Sequence, residues 1–194
     1  MLSPDALRQH FSDPARHALQ PWPGAARAAG AAVLIALQPG PAGLQILLTR
    51  RTEHLYHHPG QISLPGGRAE EHDAGPADTA LREAEEEIGL PAAALEVLGQ
   101  LPEFDTSTGF RVTPVVALAP AAFEVRLDSF EVAELFSLPL SVILTPANFQ
   151  RHRVERGELV RHFLAVPYGG RFIWGATAGI LASFAQIVGK QETL

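Results

Sequence analysis

The chain has 194 residues, a formal net charge of −6, 46% hydrophobic and 19% charged residues, and no cysteine. This length and composition predict a folded domain with a sizeable core and argue against general disorder. The lack of cysteine excludes disulfides, thiolate metal sites and cysteine nucleophiles, and the acidic balance argues against sequence-independent nucleic-acid binding.

The first 29 residues are predicted to form a short helix and an irregular lead-in. Ser3 fits the N-cap and Pro4 the first position of a helix that reaches about Phe11. Residues 13–29 are rich in Pro, Ala, Arg and Gly and show no regular pattern. No signal peptide is visible and no apolar run has the length of a membrane span, so we expect a cytoplasmic protein without a membrane partner.

Apolar runs separated by turn residues predict a series of strands. The runs 31–37 and 44–49 flank a Pro- and Gly-rich turn and predict a hairpin. Residues 50–63 contain three histidines and few structural signals, which indicates a loop. Later strands are predicted at 95–101, 111–118, 131–138, 159–166 and 171–174, the last two as a hairpin, with a helical piece near 141–144.

Two longer helices are predicted among these strands. Pro76 or Asp78 opens a helix that runs to about Ile88 and is closed by Gly89. Residues 175–188 predict a final helix that is apolar on most faces, so it is buried either inside the fold or in a homodimer interface. Because no linker divides the chain, we expect a single α/β domain over residues 1–194.

Three carboxylates share one face of the helix that Gly89 closes. Glu83, Glu86 and Glu87 lie at i, i+3 and i+4, with neighbouring Cβ atoms roughly 5–6 Å apart. Glu85 points elsewhere. A solvated acidic face is the simple alternative, but these acids lie at the negative end of the helix dipole, where each costs about 0.3–1 kcal/mol. Such clustering is expected where divalent cations bind, because Mg²⁺ takes hard oxygen ligands.

The segment that contains this helix resembles the Nudix box, whose second half reads Arg-Glu-apolar-x-Glu-Glu-x-Gly-apolar. Residues 82–90 match it at every defined position. In the first half Asp73 replaces a glutamate, and the stretch from Gly67 to Arg82 is one residue longer than the box prescribes, which leaves the role of Asp73 open. The resemblance implies an α/β/α sandwich around a mixed sheet, in which the box forms a loop, a helix and a second loop.

The same resemblance implies metal-dependent hydrolysis of a nucleoside diphosphate derivative by attack of water at phosphorus. Carried over to this chain, it makes Glu83, Glu86 and Glu87 ligands of Mg²⁺ or Mn²⁺. Arg82 would orient them, and the Gly66 carbonyl would add a ligand. Bound cations neutralise the diphosphate and lower the pKa of water. Candidates for an additional acid or base outside the box are Glu131 and Glu134 and, as further alternatives, Glu103 and Asp105.

Residues 47–67, upstream of the box, resemble the signature of coenzyme A pyrophosphatases within the Nudix family. The Leu-Leu-Thr-x-Arg frame, a spaced glycine and Pro-Gly-Gly are kept, while Thr52, Tyr56 and Leu64 depart from the pattern. The resemblance implies cleavage of coenzyme A or its thioesters into 4′-phosphopantetheine, or its acyl form, and adenosine 3′,5′-bisphosphate.

Substrate contacts are predicted from the same segment. Arg50, Arg51 and His58, with His57, offer donors for phosphate oxygens, and Gly60 permits close backbone approach. Three other interpretations stay open: a strand end with exposed basic residues, a Nudix pyrophosphatase for ADP-ribose, NADH or dinucleoside polyphosphates, and a non-catalytic Nudix-fold binding module. Zinc is disfavoured because the histidine spacing lacks a His-Glu-x-x-His pattern.

Overall fold

The structure is a computed structural model, and its N-terminal helix α1 (Pro4–Phe11) begins where the sequence predicts. The Ser3 hydroxyl accepts a hydrogen bond from the Ala6 N–H at 3.2 Å, which confirms the N-cap. The predicted lead-in at 13–29 lies largely outside the described residues. The structure describes residues 2–13, 17, 19–20, 30–106, 109–156 and 159–189.

A mixed sheet of eight strands forms the centre of the fold. Strand β1 pairs in parallel with β7, and the other pairings are antiparallel, including the predicted hairpin of β1 and β2. Two strands have only two residues each, and these short strands were not predicted. The strands are β1 (Gly30–Gly40), β2 (Gly43–Arg51), β3 (Ile62–Ser63), β4 (Gly66–Arg68), β5 (Glu96–Gln100), β6 (Phe104–Asp105), β7 (Arg111–Leu118) and β8 (Val132–Pro139).

A second sheet contains three antiparallel strands. They are β9 (Gln150–Arg156), β10 (Leu159–Tyr168) and β11 (Arg171–Trp174), and the predicted hairpin of the last two is confirmed. Strand β9 was not predicted, because its sequence Gln-Arg-His-Arg-Val-Glu-Arg offers one apolar residue and so carries almost no hydrophobic alternation.

Helices cover both faces of the main sheet, which confirms the predicted α/β/α layering. Helix α2 (Pro76–Ile88) packs its buried alanines and Ile88 against one face, where Leu34 of β1 points. Helices α1 and α4 (Ala176–Gly189) pack on the opposite face against Ile35 and its neighbours. This alternation follows from the two-residue period of β1. A short helix α3 (Leu140–Ile143) follows β8.

The apolar final helix packs inside this chain. Its buried residues include Leu181 and Phe184, and both belong to the core that also contains α1 residues. Among the described helices, none is long and apolar enough to cross a membrane.

Candidate active site

Helix α2 presents its acids at a fixed position because both helix ends are marked in the sequence. Pro76 occupies the first helical turn, and Gly89 ends the helix with a left-handed φ of 73°. The Gly89 N–H donates to the Glu85 carbonyl at 2.9 Å, and the Leu90 N–H donates to the Ala84 carbonyl at 3.3 Å. The last turn therefore lies where the sequence predicts, with the acidic residues at the negative end of the dipole.

The three predicted ligands differ strongly in exposure. The side chain of Glu86 is 59% exposed and that of Glu83 18%, whereas residue Glu87 is only 5% exposed. Glu85 is exposed, and its carboxylate accepts a hydrogen bond from the Ala92 N–H at 3.4 Å. The helix thus separates Glu85 from the other acids, as its position in the helical period requires.

Glu87 is a buried carboxylate without a counterion in contact. Burial, reinforced by the charge of Glu83, raises the pKa of Glu87 to about 8. Its Oε2 atom is fully buried and has no hydrogen-bond partner among the residues that the structure describes. Burial also raises the pKa of Glu83, although Arg82 opposes this rise. Unpaired buried carboxylates are costly, so this arrangement indicates a place for a cation.

Arg82 holds the acids of α2 in place from one side. Its guanidinium donates to Glu83 and Glu86, at 3.0 Å each, through Nη1. It also donates to the Arg68 carbonyl through Nη2 at 3.0 Å. These contacts use one carboxylate oxygen of each glutamate, which fits the expected orienting role of Arg82.

Asp73, whose role the sequence left open, is the buried anchor of Arg82. It is 2% exposed and accepts hydrogen bonds from Arg82 at 3.2 and 3.1 Å and from the Thr79 hydroxyl at 2.8 Å. Burial alone would raise the pKa of Asp73, but the bonds from Arg82 and its neighbours outweigh burial and lower the pKa to about 2. A permanently charged Asp73 therefore fixes the guanidinium that contacts Glu83 and Glu86.

Strand β4 forms the wall of the site opposite α2. A Cβ atom on Gly67 would lie 2.4 Å from the carboxyl carbon of Glu83. A Cβ on Gly66, which has φ of 154°, would lie 2.3 Å from the Ala32 carbonyl oxygen. A backbone hydrogen bond from Gly66 partly offsets the high pKa of Glu87. Gly67 is thus needed for the close approach of β4 to Glu83, and Gly66 for its close approach to β1.

Of the two acids predicted outside the box, the structure brings Glu131 to the cluster. The charge of Glu131 raises the pKa of both Glu83 and Glu87, and Glu131 Oε2 lies 3.5 Å from Arg51 Nη2. Arg51 in turn lowers the pKa of Glu87. Glu131 and Arg51 therefore border the acids of α2.

Glu134 instead forms ion pairs with two arginines. It accepts from Arg50 Nε at 3.2 Å and contacts the Arg171 guanidinium, and the bond from Arg171, with that from Arg50, lowers its pKa. The register between β2 and β8 shifts between Arg50, which pairs with Glu134, and Arg51, which pairs with Val132. The alternatives Glu103 and Asp105 contact Arg111 on β7 at 3.4 Å each.

The remaining predicted substrate contacts lie in the loop after β2. Gly60 has φ of 65°, and a Cβ there would lie 2.5 Å from a carboxylate oxygen of Glu53. His58 is exposed and has φ of 57°. Arg171 was missed because it lies in β11, far along the chain from the box, and no local sequence pattern distinguishes it.

The acidic cluster fits a hard divalent cation by its chemistry. All donors are carboxylate oxygens, and the unpartnered Oε2 of Glu87 lacks only a positive partner. Within the residues that the structure describes, no three acids or histidines already form a ligand set, and Arg82 donates hydrogen bonds to Glu83 and Glu86. Glu83, Glu86 and Glu87 are the residues whose carboxylates could hold such a cation.

Comparison with known proteins supports the resemblance to the Nudix family that the sequence motif indicates. The NUDIX domain family model matches residues 26–163. The uncharacterized Nudix hydrolase NudL of Yersinia enterocolitica is 43% identical over 173 residues, 87% of this chain and 87% of that protein. That of Yersinia pestis is 41% identical over 160 residues, 81% and 79% of the two chains. A MutT/nudix family protein from Enterococcus faecalis has the same fold, with a TM-score of 0.52, 17% identity and coverage of 100% of this chain and 77% of that one.

The chain therefore belongs to the Nudix family. It is a Nudix hydrolase, an enzyme of the diphosphatase class, which sets aside the interpretation as a non-catalytic binding module.

Proposed function

We propose that this enzyme hydrolyses the diphosphate of coenzyme A or its thioesters to 4′-phosphopantetheine, or its acyl form, and adenosine 3′,5′-bisphosphate. The observation that supports diphosphate chemistry is the buried carboxylate of Glu87, whose Oε2 atom has no hydrogen-bond partner among the described residues and whose pKa is raised by the charges of Glu83 and Glu131. Carboxylates packed this closely repel a substrate that is itself an anion. A divalent cation, Mg²⁺ or Mn²⁺, removes that repulsion.

Residues of α2 and of the segments around it have different roles in the reaction. Glu83, Glu86 and Glu87, with the Gly66 carbonyl, hold the cation, which neutralises the diphosphate and lowers the pKa of water when bound. Arg82 positions two of these acids from its anchor on Asp73. Because Glu87 is almost completely buried, its ionised form depends on the cation.

We assign the proton acceptor to Glu131. It lies outside the helix, faces the acids of α2 and is only loosely paired with Arg51 at 3.5 Å. In the reaction a water O–H bond breaks, a P–O bond forms, and the bridging P–O–P bond breaks to give two phosphate monoesters. The proton from water passes to the Glu131 carboxylate. Glu134 is less suited, because two arginines hold its oxygens and lower its pKa.

The choice of coenzyme A rests on the basic segment at the end of β2. Arg51 borders the acidic cluster, and Arg50 precedes it in the same strand, while His58 and Gly60 lie in the next loop. Coenzyme A carries a 3′-phosphate that ADP-ribose and NADH lack, so a basic surface next to the metal-binding acids favours it. The alternative substrates are ADP-ribose, NADH and dinucleoside polyphosphates.

A parallel assay tests this proposal. Coenzyme A, 3′-dephospho-coenzyme A, ADP-ribose and NADH are incubated with the protein and Mg²⁺ or Mn²⁺, and the products are identified by mass. We expect the highest kcat/KM for coenzyme A, with 4′-phosphopantetheine and adenosine 3′,5′-bisphosphate as products. Arg51→Ala should reduce the preference for coenzyme A over its dephospho form, whereas the exposed control Arg126→Ala should not. A higher kcat/KM for ADP-ribose or NADH would contradict the proposal.

A further inference from the structure

Phe130 is a large aromatic side chain in an exposed position next to the acidic cluster. It is 62% exposed. It directly precedes Glu131, whose charge acts on both Glu83 and Glu87, so its Cα lies about 3.8 Å from that of Glu131. An aromatic ring in this position adds little to folding stability, because the hydrophobic gain depends on area removed from water. Its location suits contact with a ligand.

The turn that carries Phe130 is fixed to the elements of the site. The Asp128 N–H donates to the Glu87 carbonyl at 3.0 Å, which joins the turn to the last turn of α2. The Phe130 N–H donates to Asp128 Oδ1 at 2.9 Å, and the Thr52 hydroxyl donates to the Phe130 carbonyl at 2.7 Å. The backbone that carries the ring is therefore held at a set position relative to the acids of α2 before any ligand arrives, which reduces the entropic cost of binding.

The ring also has a neighbour that supports it without covering it. His54, from the loop after β2, packs against Phe130 in an edge-on arrangement, with ring centroids 4.8 Å apart and planes at 61°. An edge-on partner restricts the ring and leaves area for a second planar group. The planar group of a nucleoside diphosphate substrate is its base.

We propose that Phe130, supported by His54, is a stacking platform for the adenine base of the substrate. This inference rests on the proposed function, since coenzyme A and the alternative substrates carry adenine. Stacking of a base on an aromatic side chain changes affinity by roughly 5- to 150-fold when the aromatic is replaced by alanine.

The competing interpretation is that Phe130 belongs to an exposed apolar strip that contacts another protein. Val125 and Leu127, in the same segment, are 49% and 38% exposed. Leu127 therefore serves as a matched control: it is apolar, exposed and close in sequence, but it cannot stack on a base.

Binding of two probes separates these interpretations without reference to turnover. ADP and inorganic pyrophosphate both offer a diphosphate to the site, but only ADP has a base. In the presence of Mg²⁺, we expect Phe130→Ala to raise the Kd of ADP by roughly 5- to 150-fold and to leave that of pyrophosphate within about twofold. Phe130→Tyr should retain ADP affinity, and Leu127→Ala should change neither probe.

Each other outcome has a defined meaning. The stacking platform is overturned by any of three results: equal loss of ADP and pyrophosphate affinity in Phe130→Ala, a matching loss in Leu127→Ala, or no measurable binding of ADP by the unmodified protein. Failure of the proposed function would appear separately, as no hydrolysis of coenzyme A by the unmodified protein while the discrimination between ADP and pyrophosphate persists. If coenzyme A is hydrolysed, Phe130→Ala should raise KM more than it lowers kcat.

Discussion

Replacing the buried carboxylate of Glu87 by an amide should stabilise the metal-free protein at high pH. Burial and the charge of Glu83 raise the pKa of Glu87 from its ordinary value of 4.5 to about 8. At about 1.4 kcal/mol per pKa unit, this corresponds to roughly 5 kcal/mol between the two protonation states. The pKa of Glu87 is higher in the folded protein than in the unfolded chain. The resulting stability is therefore fully present below pH 4.5 and is lost as the pH rises through about 8.

The expected result is a pH-dependent difference between two proteins. Without metal at pH 9, Glu87→Gln should be more stable than the unmodified protein by about 3–5 kcal/mol, and this gain should disappear near pH 4.5. With Mg²⁺ this difference should shrink, because only the unmodified protein gains from the cation, by about 2.7 kcal/mol when Mg²⁺ is at 100 times its Kd.

Urea unfolding in EDTA and in Mg²⁺ at a series of pH values measures both effects. Glu85→Gln is the matched control, since Glu85 is an exposed acid of the same helix on another face. The reasoning is refuted if Glu87→Gln gains no stability at pH 9, or if Mg²⁺ stabilises it as much as the unmodified protein.

Two further substitutions address the surroundings of the acids. Gly67→Ala should lower metal-dependent turnover at least about tenfold while leaving the melting temperature within a few degrees. The reason is that the new Cβ displaces the flexible Glu83 carboxylate and not backbone. Retained turnover would show that the close approach of Gly67 to Glu83 has no role. Asp73→Asn should lower the free energy of unfolding by about 2 kcal/mol at pH 7, since the pKa of Asp73 is lowered from 3.8 to about 2. This loss should vanish as the pH falls through about 2. In chemical denaturation, a loss that is the same at low and neutral pH would contradict the assigned contact with Arg82.

The parts of the fold that local sequence signals encode were predicted well. Helix α2 has the predicted ends because Pro76 and Gly89 mark them, and the β1–β2 hairpin follows from two apolar runs around a turn. Local signals could not predict that β1 also pairs in parallel with β7, since that pairing depends on strands far apart in the chain. They could not reveal β9 either, because its residues are almost all polar.

The site, like the fold, was predicted where local sequence signals determine it and was not predicted where contacts between distant segments determine it. The helical period placed Glu83, Glu86 and Glu87 together and Glu85 apart. The sequence offered Glu131 and Glu134 as equal candidates, because only long-range contacts tell them apart: the charge of Glu131 acts on Glu87, whereas Glu134 contacts Arg171. The buried role of Asp73 likewise depends on how the loop before α2 folds back onto Arg82.

The most direct test of the account is the reaction of coenzyme A with the unmodified protein and Glu86→Gln, with Mg²⁺ and with EDTA, followed by mass spectrometry. The account predicts that the unmodified protein with Mg²⁺ forms 4′-phosphopantetheine and adenosine 3′,5′-bisphosphate, and that Glu86→Gln or EDTA lowers the rate by orders of magnitude. Products from another bond, or an equal rate for Glu86→Gln, would contradict it.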